Sequence, residues 1–160
     1  SILDLQYKDN SFDLVCAFDV IEHVDDDYTA IQEMQRVCKR DGILFITVPA
    51  YKFLWSKHDE INHHFRRYRL RDLKNLIKSR SLKIIYSSYF NTILFPFIAI
   101  FRFYLNSFKK NSETKSDFEN FNPNNSSNKV FAFLFNLERP FLKKRIKFPF
   151  GVSCLILCKK

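Results

Sequence analysis

Glycine is almost missing from this chain. Two occur in 160 residues, Gly42 and Gly151, where average usage of about 7% would place several times that number. They lie far apart. No glycine-rich loop is present to cradle a phosphate, and no G-x-G-x-x-G turn to receive a dinucleotide. A nucleotide-type cofactor must therefore be held by other means, or by residues outside this sequence. Paired cysteines are missing as well. Cys16, Cys38, Cys154 and Cys158 stand among apolar neighbours, with no C-x-x-C pair and no Cys/His ligand spacing. That pattern predicts buried free thiols in a reducing compartment. No basic segment followed by an apolar stretch opens the chain, so no signal peptide is expected. The first residue is Ser1 rather than Met, and further residues are expected before it.

What is present is a core-forming composition. Hydrophobic residues make up 46% and charged residues 27%, enough for one domain with a buried centre. Phenylalanine is abundant at 19 residues, many of them after residue 90. The net charge of +9 is unevenly placed. Residues 1–38 hold nine acids against Lys8 and Arg36, which is −7, so the remainder carries +16. A basic half predicts an anionic partner or a solvated basic face.

Residues 13–18 are short and mostly apolar, which predicts a strand buried on both faces. Asp25 to Asp27 then precede Tyr28, Ile31, Met34 and Val37 at three-residue spacing. This is one face of an amphipathic helix with acids at its positive end. Lys39, Arg40 and Gly42 supply signals for its C-terminus. Residues 43–48 form a second apolar run, stopped by Pro49. Strand, helix and strand make a β-α-β unit of a parallel sheet. Leu70, Leu73, Leu76 and Ile77 predict a helix over 70–80, and residues 82–86 a third strand. Residues 91–105 are very apolar, but Arg102 interrupts them and they fall short of the ~20 residues that span a bilayer. Residues 106–129 are rich in Asn, Ser and Lys and predict a polar linker. A further helix is expected over 130–145 and a last strand over 152–158.

Ligands of open α/β sheets bind beyond the carboxyl ends of the strands. Asp19 to Val24 follow the first strand, and residues 49–68 the second. The latter hold three of the four histidines and the only tryptophan. Titratable and aromatic groups gathered at strand ends predict a site there.

Several of these segments resemble one family. Residues 4–15 are similar to the "D-L-P-F-x-D-N-S-F-D-L-V" lead-in to the fourth strand of class I S-adenosylmethionine-dependent methyltransferases. Asp19 to Val24 resemble their "D-V-L-E-H-V", residues 37–42 their "V-L-K-P-G-G", and residues 71–82 the helix ending in "E-A-G-F". Residues 55–68 are similar to "W-S-x-H-D-x-x-x-x-H-R-R-R-Y" of bacterial and archaeal members. The resemblance implies an α/β fold: a Rossmann-like methyltransferase sheet, its C-terminal part holding strands four to seven, with a helical insertion before the last strand. It divides the chain into a partial core over 1–90, a hydrophobic and basic insertion over 91–149 with the linker 106–129, and a closing strand over 150–160. The family's glycine loop and its ribose-binding acid are expected before Ser1. Asp41 and Ser81 stand where the family carries glycine.

The resemblance implies S-adenosyl-L-methionine as cofactor, edged by Ser1 and Ile2 at the adenine, by Phe18 and Asp19 at the methionine part, and by Ile21 near the ring. Glu22 and His23 would face the methyl-transfer site. Methyl transfer needs an aligned acceptor and removal of a proton, for which a histidine is suited. His23 is the first candidate and His64 the second. Trp55, Arg66, Arg67 and Tyr68 are the candidate substrate contacts, the arginines for an anionic group. Asp19, Glu22 and His23 also repeat a spacing similar to the divalent-ion site of ubiquinone-pathway O-methyltransferases. Many relatives carry that string without a metal, and no metal is assigned.

The expected activity is methyl transfer, on oxygen, to a small-molecule or lipid-linked substrate. The other reading is a cofactor-free membrane-peripheral module or degenerate domain. The Phe-rich segment 93–105, with Lys109, Lys110 and Lys143 to Arg145, predicts contact with an anionic membrane surface. The location expected is cytoplasmic, peripheral at the inner face of the membrane. No nucleic-acid partner is expected, because no basic and aromatic module is recognisable. An open sheet edge is expected to favour pairing with another chain, a homodimer included.

Overall fold

The structure, a computed structural model, describes residues 1–108 and 126–160, with side chains for 1–104 and 132–160. Lys109, Lys110 and most of the linker read from the sequence lie outside the described residues. Strand β1 (Phe12–Phe18) leads through a short helical turn at Ile21–His23 into α1 (Asp27–Val37) and then β2 (Cys38–Pro49). A turn at Lys52–Leu54, the short α2 (Lys57–Ile61) and α3 (Leu70–Ser79) connect β2 to β3 (Lys83–Phe90). Helices α4 (Phe95–Phe108) and α5 (Ser126–Lys143) precede the last strand, β4 (Ser153–Lys159). Residues 106–108 and 126–129 of the expected polar linker are thus helical.

Among the described residues the sheet order is β1-β2-β4-β3. β1 runs parallel to β2, while β4 lies antiparallel between β2 and β3. The register sets Phe18 against Thr47, and Ser153 against both Pro49 and Phe90. The carboxyl ends of β1, β2 and β3 therefore share one rim with the start of β4.

Helix α1 begins where Asp26 accepts hydrogen bonds from the N–H and hydroxyl of Thr29, at 2.9 and 2.6 Å. Its buried face is Ala30, Ile31, Met34 and Val37. Tyr28, expected on that face, lies outside it under the Arg80 guanidinium, 4.5 Å from the ring centroid. Gly42 does not cap the helix. It sits in β2, where an added Cβ would come 2.6 Å from Cys38 Sγ.

Helices α1 and α3 cover the same face of the sheet, and Gln35 of α1 donates to Arg80 O just beyond α3. That face buries Ala17, Leu44, Ile46, Val48, Cys154, Ile156 and Cys158 against Met34, Leu73 and Ile77. Each fully buried aliphatic side chain there contributes about 1.5–3 kcal/mol. The opposite face of β1 is open. Leu14, Cys16 and Phe18 are exposed on it. The strand is therefore buried on one face rather than two, and Cys16 is an exposed thiol, unlike Cys38, Cys154 and Cys158. Alternation places its side chain opposite Ala17. β1's outer edge meets no strand among the described residues. Such an edge beside exposed Phe12 and Leu14 is a template for pairing. We expect the isolated chain to self-associate in light scattering, and a monodisperse monomer would refute this.

The scarcity of glycine has a structural counterpart. Among the described residues, eight that are not glycine carry positive φ, including Asp19, Asp41, Tyr51 and Ser81. The two glycines instead stand where backbone comes close: a Cβ on Gly151 would lie 2.2 Å from Phe90 O. Ser81, at φ 58°, is strained in a conformation that costs an L-residue about 1–2 kcal/mol. Part of that gain returns as glycine's greater unfolded-state entropy. Ser81→Gly is expected to stabilise the chain by about 0.5–1 kcal/mol, as an upward shift of the urea midpoint at unchanged slope.

Candidate functional site

A cavity of about 350 Å³ opens on the shared rim. Asp19, Glu22 and His23 reach it from the turn after β1. Ser56, His58, Asn62, His64 and Arg67 reach it from the loop after β2, Val152 and Ser153 from the start of β4, and Ile98 and Arg102 from α4. The β2 loop is held by backbone pairing. Phe65 N donates to Glu22 O at 2.7 Å, Tyr68 N to Pro49 O at 3.0 Å, and Tyr51 N to Tyr68 O at 2.9 Å. The loop is thereby folded over the turn that carries Glu22 and His23.

Asp59 is the fixed point of this loop. It is fully buried. Its Oδ2 accepts from the N–H and hydroxyl of Ser56 at 2.8 and 3.1 Å. Arg67 grips both oxygens, Nε on Oδ1 at 2.7 Å and Nη2 on Oδ2 at 3.0 Å. Nδ1 of His64 meets Oδ1 at 2.9 Å. Burial works against the Asp59 charge, but the Arg67 and His64 bonds outweigh it and hold the pKa below the ordinary carboxylate value. As an anion Asp59 only accepts, so His64 carries its proton on Nδ1 and, when neutral, a lone pair on Nε2.

His23 is set the same way. Its Nδ1 lies 2.8 Å from the carbonyl oxygen of Asn62. A carbonyl accepts only, so Nδ1 is the donor and Nε2 holds the lone pair. The two rings meet edge to face, 4.4 Å between centroids. Glu22 completes the group. It is fully buried, neither of its oxygens has a hydrogen-bond partner, and Oε1 lies 3.9 Å from His23 Nε2. Burial, with Asp19 and Asp59 nearby, pushes its pKa up to about 8. At neutral pH it is a carboxylic acid, able to donate one bond as well as accept. Burial likewise raises Asp19, against the opposing hydrogen bond from Thr47 at 3.3 Å.

The residues named from the sequence separate into groups. Asp19, Glu22, His23, His64 and Arg67 share the cavity. Arg67, however, has its fork occupied by Asp59. Arg66 pairs with Asp27 at 3.0 Å and donates to Asp25 O, and Tyr68 OH donates to Asp27 Oδ2 at 2.8 Å. These two, with Trp55, do not line the cavity. Phe18 is exposed at the end of β1, its ring 4.8 Å from Phe45, while Ile21 is fully buried beneath the turn. Ile2 lines a separate groove along β1 with Leu5, Tyr7, Phe12 and Leu14, and Ser1 is exposed beside it. Among the described residues, the group able to place one donor atom each within 4.8 Å of the others is Glu22, His23 and His64. Asp19, grouped with Glu22 and His23 by spacing, is not in it. Sequence reading missed Asp59 and Arg102. Ser56 followed three residues later by Asp59 is a helix-start pattern, and Arg102 is the lone charge in an apolar run. Both signals were available.

A parallel pair of strands, an antiparallel last strand inserted beside them and a cavity on the strand rim make a mixed α/β sheet similar to the Rossmann-like fold of methyltransferases. The methyltransferase domain family model matches residues 1–46. No curated protein matches the chain. Solved structures do. The Haemonchus contortus phosphoethanolamine N-methyltransferase 2, in complex with S-adenosyl-L-methionine, aligns at 15% identity and TM-score 0.56 over 100% of this chain and 36% of its own. A SAM-dependent methyltransferase of Thermotoga maritima aligns at 15% identity and TM-score 0.53, over 100% of this chain and 61% of its own. The [4+2]-cyclase SpnF aligns at 16% identity and TM-score 0.56, over 100% and 53%. The chain thus spans about a third to three fifths of the length of these relatives. Likeness at this identity establishes the fold, and the cyclase among them shows that activity must be argued from the site.

Proposed function

We propose that this domain serves a methyltransferase that moves a methyl group from S-adenosylmethionine to an oxygen of a small or lipid-linked acceptor. The observation that carries this reading is the rim cavity, where two imidazoles present Nε2 beside a buried carboxyl without partners. The residues present fit one side of the cofactor. Phe18 is open at the strand end, the left-handed backbone of Asp19 (φ 51°) turns the chain sharply there, and Asp19 offers its carboxyl group toward a cationic ligand. Phe18 and Asp19 would border its methionine part, Ile21 would support the turn from below, and Ser1 and Ile2 would edge the adenine. S-adenosylmethionine would supply a methyl group on an electrophilic sulfonium.

The protein's part is alignment and proton removal. Neutral Glu22 donates to the acceptor oxygen and orients it. His64 takes the acceptor's proton on Nε2, and the imidazolium that forms is stabilised by the Asp59 carboxylate on Nδ1. His23, fixed by Asn62, closes the other side and is the alternative base. Calorimetric titration of the natural full-length protein with S-adenosylhomocysteine tests the reading, and absence of binding overturns it. His64→Ala is expected to lower kcat by about 10²–10⁴ while leaving S-adenosylhomocysteine affinity in place. A variant with wild-type turnover would remove His64 from this role.

A further inference from the structure

Helix α4 joins the cavity to the outside in an unusual way. Phe95, at its start, is anchored between Tyr51, Phe53 and Phe150, with ring centroids 5.4–6.2 Å apart. Ile98 and Arg102, one turn apart, line the cavity. Phe97, Ile100, Phe101, Phe103 and Tyr104 point away from it and are 52–77% exposed. Five large apolar side chains on one exposed helix are more than a solvated surface carries without a partner. No helix among the described residues is long and apolar enough to cross a membrane, so the apolar face of α4 suits an interface rather than a span.

Charge selects the partner. Residues 139–147 carry Arg139, Lys143, Lys144, Arg145 and Lys147 and no acid. All five are exposed, with Phe141 and Ile146 exposed among them. Buried Glu138 of α5 accepts from Ile93 N at 2.7 Å, just before α4, so the basic end of α5 is tied to the start of the apolar helix. Apolar side chains beside solvated cations match the surface of an anionic bilayer, in which acyl chains and anionic headgroups lie within a few ångströms of each other.

We infer that α4 lies on an anionic bilayer and that the acceptor is an anionic amphiphile whose headgroup enters the cavity against Arg102. The assignment of the cavity rests on the methyl-transfer reading above. The membrane contact does not, since it needs neither cofactor nor turnover. Arg102 lines the cavity from α4, as Arg67 does from the loop after β2. Its place on the helix that meets the membrane puts charge recognition at the point where a headgroup would arrive.

Flotation of the full chain with vesicles is the test, since aggregates sink while bound protein rises. Phosphatidylcholine vesicles with and without phosphatidylglycerol are compared at low and high salt. Flotation only with the anionic vesicles, weakened by salt, is expected. Lys143→Glu with Lys144→Glu should weaken it by about tenfold or more, and Phe101→Ser with Phe103→Ser by a similar factor. Arg102→Gln should still float, but lose about tenfold in calorimetric affinity for a short-chain phosphatidylglycerol monomer. Equal flotation on neutral vesicles, none on anionic ones, or flotation indifferent to both double variants overturns the membrane assignment. A salt-independent dimer that buries α4 overturns it in favour of a second copy of this chain. Unchanged short-chain lipid affinity in Arg102→Gln overturns the headgroup assignment alone. Failure of S-adenosylhomocysteine binding, with flotation intact, would strike the methyl-transfer reading and with it the acceptor's place in the cavity, and would leave the membrane contact standing.

Discussion

Asp59→Ala is expected to lower the unfolding free energy by about 3–5 kcal/mol. The carboxylate is fully buried and joins Ser56, His64 and Arg67, all within 3.1 Å. Removing it leaves a guanidinium on the buried loop with only the Ala50 carbonyl at 3.2 Å, frees an N–H of the loop, and takes away the group that sets the His64 tautomer. An unpartnered buried charge is the costly outcome, far beyond the worth of an exposed ion pair. Asp59→Leu combined with Arg67→Met removes both charges and should recover most of the loss. Urea unfolding of the two variants makes the comparison. A loss below about 1 kcal/mol for Asp59→Ala would mean that the pair is solvent-screened. The loss of kcat should exceed what the fraction of folded protein explains, because His64 loses its orientation as well.

Glu22→Gln is expected to change how stability depends on pH. The folded pKa of Glu22, about 8, lies above the ordinary glutamate value of about 4.3. The folded chain therefore binds this proton more tightly than the unfolded one. The stability it contributes is fully present below pH of about 4 and is lost as pH rises through about 8. Glutamine keeps the shape and cannot ionise. The difference between variant and wild type should thus be small at pH 5 and grow to about 2 kcal/mol or more in the variant's favour at pH 9. Denaturant unfolding at both pH values reads this directly, and parallel pH profiles would show that Glu22 reaches solvent when charged. Glutamine keeps a donor in its amide NH2, so the bond proposed to orient the acceptor should survive, and turnover at high pH should be retained where that of the wild type falls.

Local elements were legible for local reasons. The apolar runs at 13–18 and 43–48, the spacing of Ile31, Met34 and Val37, and Asp26 before Thr29 are short-range signals that secondary structure uses directly. Tyr28 was misplaced because period alone cannot tell a core position from its neighbour under a cation. Cys16 was misplaced because an apolar run does not reveal how many faces of its strand are covered. Asp41 and Ser81, read as standing where the resembled family carries glycine, both have left-handed backbones, the conformation that glycine adopts most readily. Glu22, His23 and His64 were nameable as chemistry-bearing residues. Their grouping was not, since 41 positions separate His23 from His64.

The scarcity of glycine, the β-α-β pattern, the uneven charge and the Phe-rich segment are properties of the sequence by itself. They determine the fold class, exclude a glycine-loop nucleotide site within these residues, and mark which segments carry titratable groups. Tertiary structure decided the rest. It placed β4 antiparallel between β2 and β3, a pairing between segments about 65–115 residues apart that no local periodicity encodes. It folded the 55–68 loop over the turn after β1, making Asp59 a buried anion, setting the proton on each imidazole and leaving Glu22 without partners. It turned two side chains of α4 inward and five outward. Each of these outcomes depends on which groups lose water together, and that is a property of packing in three dimensions.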